Sequence, residues 1–167
     1  MDSQASAPEI KRAKLLHSIL LFDFIVVHIF VFIVALSLIK TSYIPLAFVP
    51  LLSIPLLGYV MFAARKSLTS ESSWFVRCHM ILAGRRARMF LVLHLVTGAF
   101  TAVLLLGGTQ FGLSPIAAKA LAFGLGQLPF MVALLALVVI EYDAEHQCKI
   151  GKIPAAAIKL HPAPHAD

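Results

Sequence analysis

LLHSILLFDFIVVHIFVFIVALSLI, residues 15–39, is long and apolar enough to cross a bilayer as a helix, and its reading decides the fold. About 20 apolar residues suffice for ~30 Å of hydrocarbon at 1.5 Å per residue. Three more runs of this kind follow, Tyr43–Ala64, Met89–Leu106 and Ile116–Ile140. The expected fold is therefore all-α: a polytopic membrane protein with a four-helix transmembrane bundle. Composition agrees, with 60% hydrophobic and 13% charged residues against soluble averages of about half and about a quarter. The 167 residues leave room for a single transmembrane domain.

The charges set an orientation. Of 14 basic residues, Lys11, Arg12 and Lys14 precede the first run. Arg65, Lys66, Arg77, Arg85, Arg86 and Arg88 lie between the second and third, and Lys149, Lys152 and Lys159 follow the fourth. Only Lys40 and Lys119 fall on the other side. The positive-inside rule then expects both termini and the central loop to be cytoplasmic, with a bacterial cytoplasmic membrane as the location. The first run is too long for a signal-peptide core, and no small-residue cleavage site follows it. The net charge of +6 is thus topological, and no base-reading fold or aromatic platform suggests nucleic acid.

Between the second and third runs, Trp74, Phe75, Cys78, Ile81 and Leu82 share one helical face, while Arg77, Arg85 and Arg88 lie off it. That pattern predicts an amphipathic helix over 72–88, either lying in the cytoplasmic interface or continuing straight into the third span. Arg77, Arg85, Arg86 and Arg88 are expected to meet anionic lipid headgroups. Pro50 and Pro55 fall inside the second span. Residues 141–167 read as a solvated helix end and a loosely ordered cytoplasmic tail. Cys78 and Cys148 are expected to be reduced, buried thiols rather than zinc ligands with His79 and His146, and no metal site is expected.

Ionisable and polar residues inside spans carry the functional hypotheses. Asp23, His28, Ser53, His94, Thr97, Thr101 and Gln127 form an expected intramembrane polar layer: His28, Ser53, Thr97, Thr101 and Gln127 near the midplane, His94 about 6 Å nearer the cytoplasm, and Asp23 toward the cytoplasmic interface, where pairing with an arginine is an alternative. Interhelical hydrogen bonding explains such a layer, with Gly58, Gly98, Gly124 and Gly126 permitting close approach. His28 and His94 on separate helices also suit axial ligation of haem b, with His17 and His146 as a second pair. Lys14-Leu15-Leu16-His17 resembles the first-helix histidine of bis-histidine membrane cytochromes b, without their following tryptophan or a histidine in span four. His94-Leu95-Val96-Thr97-Gly98 resembles an element of succinate dehydrogenase anchor subunits, without its arginine. These likenesses cover few residues and define no family. A proton relay through Asp23, His28 and His94 is a third reading. Against it, an α-helix sets residues five apart about 140° from each other.

No nucleophile elbow, Walker A loop or dinucleotide fingerprint is present. The sequence therefore points to a small integral subunit or accessory protein of a larger membrane complex, without self-contained catalysis. A haem-binding electron carrier or anchor subunit is the first alternative, and a proton- or ion-conducting protein the second. The expected partners are the bilayer, anionic lipids at its cytoplasmic face and other membrane subunits.

Overall fold

The computed structural model describes residues 5–39, 41–42 and 44–163. They are all-helical, with no strand among the described residues. Four helices are long and apolar enough to cross a membrane: α1 (Ala7–Ser37), α2 (Ile44–Ser70), α3 (Trp74–Gly107) and α4 (Pro115–Lys149). A short helix, α5 (Ala155–Leu160), follows. Lys40 and Tyr43, assigned above to the first extracytoplasmic turn and the start of the second span, lie outside the described residues.

Local chemistry sets the helix starts. Glu9 closes a capping box with Ser6, accepting from the Ser6 amide at 2.8 Å and its hydroxyl at 2.6 Å. With a further bond from Ser73 Oγ, these hold the Glu9 carboxyl down at about 2. Pro50 and Pro55 do not interrupt α2, whose buried stripe Val49, Ser53, Leu57, Val60, Ala64 and Ser67 follows helical spacing throughout.

Two segments depart from α geometry. Residues Asp23–Val31 in α1 and Ala122–Gln127 in α4 are π-helical. Their i→i+5 hydrogen bonds change which side chains share a face.

The amphipathic stretch 72–88 is not a separate interfacial element. It is the first half of α3, which runs unbroken to Gly107. Its apolar stripe is covered by protein: Phe75 and Val76 pack with Ala13 and Cys148, and Cys78 and Leu82 with Ala144 and Ala157. Residues 150–163 likewise differ from a loose tail. They turn at Gly151 (φ +71°) and pack as a strap, with Ile153, Ala157 and Leu160 against the Cys78–Leu82 cluster.

The chain divides into two compact units. The first comprises the residues up to Arg88 and those from Val138, and the second comprises Met89–Leu137. In the first, Leu16, Leu20, Phe24 and Val27 of α1 are buried together with the α2 stripe. In the second, Ala118, Ala122, Gly126, Phe130 and Leu134 recur every fourth residue as the buried face of α4.

Candidate functional site

The π segment of α1 overturns the argument that separated Asp23 from His28. An i→i+5 pattern stacks residues five apart, so both side chains are buried on one side of the helix. His28 Nδ1 lies 3.1 Å from the Asp23 carbonyl, to which it donates, and 3.6 Å from Asp23 Oδ2. Ser53 of α2 donates its hydroxyl to the same Oδ2 at 3.1 Å. The other carboxylate oxygen, Oδ1, is buried with no hydrogen-bond partner among the described residues. Asp23 is therefore paired with a histidine and a serine, and not with an arginine at the interface. A carboxylate held in an apolar stretch with one oxygen unsatisfied is costly to bury.

The remaining members of the expected layer belong to the second unit. Thr101 Oγ1 accepts from Gln127 Nε2 at 3.0 Å and reaches the Ala122 carbonyl at 3.5 Å, and a Cβ on Gly126 would fall 2.3 Å from that hydroxyl. Thr97 donates instead to the Leu93 carbonyl of its own helix, at 2.8 Å. His94 packs among aromatic rings, 6.3 Å from Phe90 and 5.8 Å from Phe130 between centroids. His28 and His94 fall in different units. At Gly58, Gly98 and Gly124 a Cβ meets nothing within 4 Å among the described residues.

A second cluster was not anticipated. His17, His79 and Glu141 are fully buried in the first unit, outside the apolar runs or at their edge. His79 Nε2 donates to the Lys152 carbonyl of the strap at 3.0 Å. Its Nδ1 lies 3.0 Å from His17 Nε2, and His17 Nδ1 lies 2.5 Å from Glu141 Oε1. Glu141 Oε2 then accepts from Arg86 at 2.7 Å, and Arg86 also donates to the Ile140 carbonyl. Burial, with the nearby His17, drives His79 down from 6.5 to about 4, so its ring is neutral near neutral pH. One turn further along α4, Glu145 accepts from Ser18 and from Lys149.

This cluster corrects three expectations. Arg86 turns inward rather than to lipid: half-buried, it is the counter-charge of buried Glu141, whereas Arg85 and Arg88 are exposed and Arg77 is half-buried. The end of α4 is not simply solvated, because Glu141 and Glu145 are buried. His17 is not paired with His146, since both its nitrogens are engaged and His146 is exposed. One signal for it was present in the sequence. The buried spacing Phe130, Leu134, Leu137 continues in step through Glu141, Ala144 and Cys148, placing a carboxylate on a core stripe.

Among the described residues, no group of three or more His, Cys, Asp or Glu side chains is arranged to hold a metal ion. Cys78 and Cys148 are free thiols in separate apolar clusters, and burial pushes both up to about 11. No family model, curated protein or solved structure matches this chain.

Proposed function

We propose that this chain is an integral membrane protein that takes up and passes protons at Asp23 and His28, acting as a small subunit of a larger membrane assembly. One observation carries the reading: the π turn of α1 joins an acid and a histidine, both buried within an apolar run, and leaves one carboxylate oxygen unsatisfied. π turns recur at functional sites because they give up helix stability to place side chains. Ser53 adds a hydroxyl that can donate or accept, the property a relay needs in a neighbour.

Membrane insertion is supported by the apolar surface left uncovered. The most apolar window of α3 is only 11% buried, and Leu106 and Ile116 are 82% and 81% exposed. Apolar area on this scale is stable in lipid or against partner helices, not in water. The positive-inside bias supports a topology with both termini in the cytoplasm.

Infrared spectroscopy of the protein in lipid nanodiscs tests the proposal without needing the partners. A protonated-carboxyl band that titrates with pH in the wild type and vanishes in Asp23→Asn is expected. A wild type with no titrating band assignable to Asp23 would refute proton uptake there. The haem reading of His28 and His94 makes a separate demand, a Soret band lost on substituting either histidine.

A further inference from the structure

The chain of bonds from Lys152 to Glu141 has three links, and each end is an acceptor. At one end stands the Lys152 carbonyl, which cannot donate. At the other stands the Glu141 carboxylate, whose second oxygen accepts from the Arg86 guanidinium at 2.7 Å. Two imidazoles lie between them, at 3.0 Å from the carbonyl, 3.0 Å from each other and 2.5 Å from the carboxylate. Each link needs one hydrogen, so the chain needs three. Two neutral imidazoles carry only two.

We infer that the His17–His79 pair is a proton-binding site holding one proton more than two neutral rings, and that this proton latches the strap 150–163 onto the first unit. In the latched state His79 donates Nε2–H to Lys152 and receives His17 Nε2–H at its Nδ1. His17, as imidazolium, also donates Nδ1–H to Glu141. When the proton leaves, two hydrogens must serve three links. The charge-assisted bond to Glu141 keeps its hydrogen, being the strongest of the three. The proton that departs is the one on His79 Nε2, as the hydrogen of the middle link crosses from His17 Nε2 to His79 Nδ1 and keeps the two rings bonded. The bare Nε2 of His79 is left facing the Lys152 oxygen, lone pair to lone pair, and the repulsion falls on the strap.

The charged groups around the pair are accounted for by element. From α1 comes His17 itself, with Lys14 a turn earlier. From α3 comes Arg86, and from α4 come Glu141 and, one turn on, Glu145 with Lys149. The strap contributes a neutral carbonyl. Among the described charged residues, only Glu141 and Arg86 bond or pair directly with this chain, and they cancel, so the extra proton sets its net charge. The inference does not depend on proton passage at Asp23.

The chain's one tryptophan reports the strap. Trp74 Nε1 donates to the His161 carbonyl at 3.2 Å and packs with Ala157 and Leu160. In detergent or nanodiscs, raising the pH should shift Trp74 emission in a single-proton transition while the helical circular dichroism holds. Glu141→Gln should abolish that transition and keep the latched emission at high pH, because the glutamine amide supplies the missing donor to His17 Nδ1. A merely structural Glu141 predicts the opposite, a looser strap in the variant. Flat wild-type emission would overturn the latch, as would equal titration of wild type and Glu141→Gln. Should the variant not fold, nitrogen-15 spectra of wild type decide: three of the four ring nitrogens protonated with the strap docked supports the latch, and only two refutes it.

Discussion

Arg85 and Arg86 are adjacent in sequence and opposite in role. Arg85 is exposed, while Arg86 places its guanidinium on a fully buried carboxylate and on a backbone carbonyl. Removing one partner of such a pair leaves the other charge buried and unmatched, a change that costs several kcal/mol. Arg86→Ala is accordingly expected to destabilise the protein by ~3 kcal/mol, while Arg85→Ala stays within about 0.5 kcal/mol. Thermal unfolding of both variants in the same detergent checks this, and similar midpoints for the two would contradict the assigned role. Charge patterning treated both arginines alike and went no further. Which one turns inward depends on α3 continuing without a break, and that is a property of packing.

At the scale of elements, the four long apolar runs were legible because hydrophobicity and length alone specify them. The π segments were not. A shift from i→i+4 to i→i+5 bonding leaves no mark in composition, so the Asp23–His28 pairing could not be found by counting at 100° per residue. Helix contacts through small residues were only partly legible. Glycine content flags that a close approach is possible without saying where it occurs. Within the first unit it occurs at Gly84, where a Cβ would fall 2.4 Å from the Ala64 Cβ. Neither atom is the end of a flexible chain, so the helices themselves must separate. Gly84→Ala is expected to cost about 1–3 kcal/mol, the range for overpacking. The double variant Gly84→Ala with Ala64→Gly should recover most of that loss. Denaturation midpoints of the two single variants and the pair measure the coupling, and simple additivity would rule out a direct contact.

For the whole molecule, the proposed orientation rests on the distribution of basic residues, and burial of the native thiols makes it straightforward to test. Cys78 and Cys148 are enclosed and held in the thiol form, so they give little background to a polar maleimide. Lys152→Cys keeps the backbone carbonyl and exposes a new thiol. It should label only from the cytoplasmic face, and Thr109→Cys only from outside. Reversed labelling would invert the topology.

The two π segments occur in the two longest apolar runs, Leu15–Ile39 and Ile116–Ile140, and not in the two shorter ones. A wider turn takes up more residues for the same advance along the axis. These helices are therefore shorter than their residue counts imply, and the four hydrophobic lengths are brought nearer to one another. With the proposed membrane insertion, the protein would match a thinner hydrocarbon layer than its longest runs suggest. It would meet that thickness through backbone geometry where a regular helix would have to tilt or thicken the surrounding lipid.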